Sequence, residues 1–135
     1  MLRLFIDANT LISGLVFSGP EHGLLKKGAS RKVELITSED VIDEVVEVIN
    51  RKFPSKSVYA QEFLKLTEVK VIRKKEYETK IGEQTVRDLE DRHVLAAALA
   101  ANCKIIVTGD GDLLALGNYK KIRIIRTTQI LSEIN

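Results

Sequence analysis

Several residue types are scarce in this 135-residue chain, and each scarcity removes a class of protein. One cysteine is present, Cys103, so no internal disulfide can form, and its Ala-Asn-Cys-Lys setting reads as a packed helix end. That usage fits a reducing, cytoplasmic location. There are two histidines, His22 and His93, and the lone cysteine has no ligand-spaced companion, which argues against a zinc site. The same shortage disfavours a Ser/His/Asp triad: His93 is expected on the polar side of its helix and His22 in a surface helix. Tryptophan is absent and aromatics make up only 5%, against a base-stacking platform. No apolar run approaches the roughly 20 residues that span a bilayer. The opening Met-Leu-Arg-Leu-Phe-Ile-Asp meets an acid after six residues, unlike a signal peptide. A phosphate-cradling G-x-x-x-x-G-K-[ST] loop is missing as well; Gly109-Asp110-Gly111 lacks the lysine and would repel phosphate without a metal.

What is present is ordinary in bulk. Hydrophobic residues at 44% and charged residues at 30% suit a soluble globular chain, and the length fits one domain over residues 1–135. A net charge of +2 neither demands nor excludes a nucleic-acid partner. Basic residues gather at Arg51-Lys52, at Lys70 to Lys75 and at Lys120 to Arg126, where a solvated surface is the plain reading of each.

The order of hydrophobic patterns predicts alternating strands and helices. Leu2 to Ile6 is a short apolar run of the kind buried on both faces of a parallel sheet. Helical spacing follows in Leu11, Ile12, Leu15 and Val16, ended by Ser18-Gly19-Pro20, and a second helix covers Glu21 to Ala29, closed by Gly28. Strands are expected at Lys32 to Thr37, Val69 to Ile72, Lys104 to Thr108 and Lys121 to Ile125. Helices are expected from Ser38-Glu39-Asp40 to about Lys52, over Ser57 to Leu66, over Tyr77 to Val86 with a break near Gly82, over Asp88 to Asn102, in a short piece from Leu113, and over Thr127 to Ile134. This alternation implies βαβ units: an α/β domain of three layers, with a central, mostly parallel sheet of about five strands flanked by helices.

Four acids stand where a solvated charge is not normally put. Asp7 and Asp110 each end a strand, so in a parallel sheet both emerge at the same edge, where ligands of open α/β sheets bind. Capping of the next helix is the alternative role for Asp7. Two acids at one edge repel, and raise one another's pKa unless a cation sits between them. Asp91 lies along the apolar stripe continued by Leu95 and Ala98, where an unpaired buried carboxylate would cost several kcal/mol. A capping or dipole role suits its neighbours Asp88 and Glu90 better. Glu44 sits at the border of an apolar helix face formed by Val41, Val45 and Val48, a common place for a glutamate, and gains weight only from its company. Asp112 is a possible fifth. Such carboxylates suit hard cations such as Mg²⁺ and Mn²⁺.

These segments, taken in order, resemble the PIN-domain family of metal-dependent ribonucleases, over essentially the whole chain. Phe5-Ile6-Asp7-Ala8-Asn9-Thr10-Leu11-Ile12 is similar to the family's opening motif, and Ser38 to Val45 to its second, with the acid on Glu44. Asp88 to Ala98 resembles the third motif, with the key acid on Asp91, and Val107 to Leu114 the fourth, bringing Thr108, Asp110 and Asp112. Leu89 departs from the Pro or small residue common after the first acid of the third motif, which touches the turn and not the ligand set. The branch most resembled is that of VapC-type toxins. The resemblance implies that Asp7, Asp91 and Asp110 hold one or two Mg²⁺ or Mn²⁺ ions, with Glu44 and Asp112 binding directly or through water. It also implies that Asn9 and Thr108 orient the acids or bond the scissile phosphate, and that the basic clusters add phosphate affinity. Single-stranded RNA is the implied substrate, an antitoxin protein a possible partner, and a homodimer the implied assembly, with no membrane involved. Two rival readings remain: a haloacid-dehalogenase-type phosphatase, for which Asn9 stands where a second acid is needed, and a PIN-like module that binds RNA or protein without cutting.

Overall fold

The computed structural model describes residues 1–134. The apolar runs become a six-stranded sheet. Its strands are β1 (Arg3–Ile6), β2 (Glu34–Ser38), β3 (Lys70–Ile72), β4 (Ile105–Val107), β5 (Asn118–Tyr119) and β6 (Ile122–Ile125). The spatial order is β3-β2-β1-β4-β6-β5, and every pairing is parallel except that of β5 with β6. β1 lies between β2 and β4, with Phe5 opposite Ile36 on one side and Ile106 on the other. Leu4, Phe5 and Ile6 are wholly buried, as a strand covered on both faces must be. The expected fold class therefore holds, with one strand more than expected.

The helices are α1 (Ala8–Val16), α2 (Pro20–Ala29), α3 (Glu39–Lys52), α4 (Ser57–Thr67), α5 (Lys74–Tyr77), α6 (Leu89–Ala100), α7 (Gly111–Leu116) and α8 (Thr127–Glu133). α1 to α4 pack against one another, with α8 against α2, while α6 packs with α5 and the 3₁₀ segment Glu78–Glu83. α1 and α2 approach closely at Gly14, where a Cβ would stand 2.6 Å from Leu25 Cδ1 and 2.9 Å from the Glu21 carbonyl oxygen. Gly28 does not close α2 as the sequence suggests. The helix runs one residue further and is capped at Ser30, while Gly28 is buried where any Cβ would collide with Leu35.

Two further expectations fail. Tyr77 to Val86 is not a helix interrupted at Gly82: α5 begins earlier, the 3₁₀ segment runs through Gly82, and residues 84–88 carry no helix. Tyr77 is wholly buried and anchors this stretch, so a tertiary contact, rather than local propensity, sets its path. The missed strand β5 pairs with β6 across a two-residue turn of Lys120 and Lys121, both with left-handed backbone (φ 47° and 71°). Two-residue hairpins need that conformation, and Asn-Gly is its usual signature, so a Lys-Lys turn carries no warning in the sequence.

From β1 the chain moves along the sheet to β2, and from β4 it moves the other way to β6. The C-terminal ends of β1 and β4 therefore flank the point where the winding reverses, which opens a crevice at that edge.

Candidate metal centre

Each acid reaches the crevice by its own local route. Asp7 leaves β1 in extended conformation and caps α1, its Oδ1 accepting the Thr10 N–H at 3.0 Å. Its Oδ2 accepts the Thr108 hydroxyl, and that hydroxyl in turn accepts the Asp110 N–H at 2.9 Å. Capping and placement at the sheet edge, which the sequence leaves as alternatives for Asp7, thus occur together. Asp110 repeats the arrangement: it follows β4 and caps α7, with Oδ2 accepting the Leu113 N–H at 2.9 Å. Asp88 caps α6, accepting from the N–H groups of Glu90 and Asp91, which sets Asp91 in the first turn.

Asp7, Asn9, Glu44, Asp91 and Asp110 line one hollow of about 200 Å³ at this edge. Two of these acids, Asp91 and Asp110, also group with the exposed Asp112, which does not line the hollow: one carboxylate oxygen from each of the three lies within 4.8 Å of the others. Asp7 and Glu44 share the hollow but stand outside that trio. Thr108 is buried beneath, between Asp7 and Asp110. Asn9 is exposed at the rim, and among the described residues its side chain bonds to none of the acids.

Concentrated negative charge leaves its mark on acidity. Burial, and then the charges of Asp110, Asp88, Asp112 and Glu90, push the Asp91 carboxyl up to about 6. Asp7 is also raised, by burial first and by Asp110 last, against the lowering effect of its bonds from Thr10 and Thr108. Glu44 is raised by burial of its carboxyl and by Glu90, Asp7 and Glu47, although the residue as a whole is exposed. Acids held above their ordinary range gain from a nearby cation. Oxygens opposed across an octahedral Mg²⁺ stand about 4 Å apart, so the Asp91, Asp110 and Asp112 spacing and its all-oxygen chemistry fit a hard divalent ion.

One part of the hollow has no counterpart in the sequence reading. Asp40, in the first turn of α3, accepts from Tyr77 Oη at 2.7 Å, from Lys74 Nζ at 3.0 Å and from His93 Nδ1 at 2.7 Å. A carboxylate is acceptor-only, so the proton of this contact sits on Nδ1. Burial would raise Asp40, yet the bonds from His93, Tyr77 and Lys74 outweigh it and hold the carboxyl below its usual range. His93 is accordingly not a solvated residue on the polar side of α6; it is half-buried, lines the hollow and ties α6 to α3. Fifty-three residues separate the pair, and no local pattern marks such a contact.

Comparison with known proteins agrees with this architecture. A chain in the crystal structure of VapBC2 from Rickettsia felis, bound to a DNA fragment from its promoter, aligns with TM-score 0.64 at 14% identity, covering 91% of this chain and 97% of that one. VapC20 of Mycobacterium tuberculosis, a toxin that cleaves the sarcin-ricin loop, aligns with TM-score 0.57 at 19% identity, covering 89% and 98%. A domain of a functionally unknown protein from Methanocaldococcus jannaschii gives TM-score 0.56 at 19% identity, covering 93% and 91%. Among curated protein sequences, none matches this chain. The PIN domain family model matches residues 3–112, a stretch that holds β1 to β4 and all the acids of the hollow, so this chain belongs to the PIN-domain family.

Proposed function

We propose that this protein is a metal-dependent endoribonuclease that hydrolyses phosphodiester bonds of single-stranded RNA, and that it is the toxin of a VapC-type toxin–antitoxin pair. The observation that carries the reading is the trio of Asp91, Asp110 and Asp112 carboxylates at the sheet edge, with Asp7 and Glu44 in the hollow that Asp91 and Asp110 line. In this reading Asp91, Asp110 and Asp112 hold Mg²⁺ or Mn²⁺, with Asp7 and Glu44 completing the binding directly or through water. The bound ion supplies a water of lowered pKa and offsets the charge that develops on the phosphate. Asp7, clamped by Thr10 and Thr108, keeps its orientation, and Thr108 fixes the Asp110 backbone relative to it. Asn9, at the exposed rim, bonds the scissile phosphate. A shallow site of this kind reaches an exposed single strand more readily than a paired one. Membership of the PIN-domain family and the shared fold with a VapC toxin that cuts RNA support this choice.

The same reading extends to partners. The likeness to a chain of VapBC2, bound to a DNA fragment from its promoter, supports an antitoxin as the partner of this chain. A homodimer acting in the cytoplasm belongs to the reading too; no helix among the described residues is long and apolar enough to cross a membrane.

Labelled single-stranded RNA incubated with the protein in Mn²⁺, Mg²⁺ or EDTA, beside Asp7→Asn and Asp91→Asn, provides the test. Cutting that needs the metal and is lost in both variants supports the reading. RNA that binds but stays whole with every metal, in protein free of any copurified partner, would replace it with the non-cutting module.

A further inference from the structure

The acidic hollow poses a problem that its own residues do not solve. A polyanionic substrate must approach several carboxylates, and among the described residues lining that hollow there is no lysine or arginine. A second hollow, of about 390 Å³, adjoins it and shares Asn9. Its volume lies within the roughly 300–1,000 Å³ typical of small-ligand clefts. Thr108 and Gly109, which lead into Asp110, form one side, and Ser13, Thr127 and Thr128 add hydroxyls. Arg126 is the one lysine or arginine among the described residues that line either hollow.

The position of Arg126 is fixed by the sheet. Thr108 N–H bonds the Ile125 carbonyl at 3.0 Å, so Arg126 leaves β6 directly beside the Thr108-Gly109-Asp110 turn. Its own carbonyl accepts from Gln129 and Ile130, which anchors the backbone at the start of α8. The side chain is uncommitted: among the described residues, no carboxylate lies within salt-bridge distance of the guanidinium and no acceptor takes its hydrogen bonds. The neighbouring basic residues of the same sequence cluster are placed otherwise, with Arg123 paired to Glu133 and Lys120 over the Tyr119 ring. Glu21 also lines the second hollow, its carboxylate accepting the Ser13 hydroxyl at 3.2 Å.

We propose that Arg126 forms, with the Thr128 hydroxyl, a subsite for the RNA phosphate next to the one being cut, while Asn9, shared by the two hollows, stays with the scissile phosphate. The proposal rests on the ribonuclease reading above for the identity of the strand. Guanidinium suits the task because it is always charged and offers paired donors to two phosphate oxygens. By holding the flanking phosphate, Arg126 draws the strand across Asn9 and sets the scissile bond over the acids.

The deciding measurement is binding of a fluorescent single-stranded RNA oligonucleotide in Mg²⁺, using Asp91→Asn protein so that the strand stays whole. Adding Arg126→Ala is expected to weaken binding five- to tenfold and to reduce the slope of log Kd against log salt by about 0.7, the loss of one single-strand phosphate contact. Arg126→Lys is expected to keep the slope. Lys65→Ala, in the last turn of α4 and lining neither hollow, is expected to change neither. A neutral methylphosphonate walked along the oligonucleotide should abolish the Arg126→Ala effect at one linkage. Unchanged affinity and slope in Arg126→Ala, loss equal to that of Lys65→Ala, or no binding by the Arg126-intact protein would each overturn the proposal. Arg126 is an exposed helix-start residue, and an unchanged melting temperature verifies the fold of its variants. RNA cutting by the otherwise unaltered protein is scored separately, so a failed nuclease reading and a failed Arg126 subsite give different results.

Discussion

Replacing Asp91 by Asn should make the metal-free protein more stable at neutral pH, even though the residue sits in the proposed active site. In the fold, burial and four neighbouring acids raise the Asp91 carboxyl from 3.8 to about 6. An acid whose pKa is raised on folding favours the protonated form, so stability falls as pH rises from about 4 through about 6 and stays low above. The full rise corresponds to about 3 kcal/mol. Asp91 is only half-buried, and solvent screening reduces this to about 1–1.5 kcal/mol. Asn removes that penalty but also forfeits about 0.5 kcal/mol from a negative charge in the first turn of α6. The balance is a gain of about 0.5–1 kcal/mol, or about 2–4 °C for a chain of this length. Thermal melts of both proteins in EDTA at pH 7.5 and pH 4.5 test this. The variant should melt higher at pH 7.5 and within a degree of the parent at pH 4.5, where Asp91 is already protonated. An equal difference at the two pH values, or a variant less stable at pH 7.5, would refute the electrostatic account of the acidic hollow.

Divalent ion should reverse the order. Mn²⁺ at a hundred times its Kd is expected to stabilise the parent by about 2.7 kcal/mol, roughly 10 °C, and Asp91→Asn or Asp110→Asn far less, as read by melts with and without EDTA. Thr108→Val cuts both the bond to Asp7 and the bond from the Asp110 N–H, so it should lower kcat for RNA more than it raises KM, while Thr108→Ser restores most of the rate. Asp40 is held below its usual range by His93, Tyr77 and Lys74; the stability it adds is present above its unfolded pKa and lost as pH falls through its folded value. Tyr77→Phe should therefore lower stability at pH 7, and the difference from the parent should shrink as pH falls below the folded Asp40 value, as read by circular dichroism in urea. Gly14→Val has no room against Leu25 and the fixed Glu21 carbonyl, and should cost about 1–3 kcal/mol in urea unfolding, with the overpacking confined to the α1–α2 contact.

The parts of the fold legible in the sequence are those whose signal is local. Leu4, Phe5 and Ile6 form an unbroken apolar run because β1 is covered on both faces, and Ser38 and Asp88 cap α3 and α6 through bonds to N–H groups within three residues. The acids were legible for a related reason. Asp7 and Asp110 terminate strands, and a parallel sheet carries every such terminus to one edge whatever the lengths of the connections. What stayed hidden depends on distant contacts. The course of residues 78–88 follows from where Tyr77 is buried, and the role of His93 from Asp40 on another helix.

The grouping of the acids itself could be only partly foreseen. Strand order brings Asp7 and Asp110 to neighbouring positions, yet the trio that closes to within 4.8 Å is Asp91, Asp110 and Asp112. The difference lies in the caps. Both oxygens of Asp7 are committed to protein donors, Thr10 and Thr108, whereas Asp91 is set by a cap made by its neighbour Asp88 and keeps its own carboxylate uncommitted. Asp110 lies between these cases, with one oxygen on the Leu113 N–H. An acid that caps its own helix gains a fixed orientation and loses freedom to turn toward an ion. On the proposed reading Asp7 would contribute rigidity and field to the hollow, and the uncommitted oxygens of Asp91 and Asp112 would do most of the ion binding. Arg126 answers the same charge from the other side: the hollow that suits a cation repels the strand, and an uncommitted guanidinium one strand away offsets that repulsion without neutralising the acids.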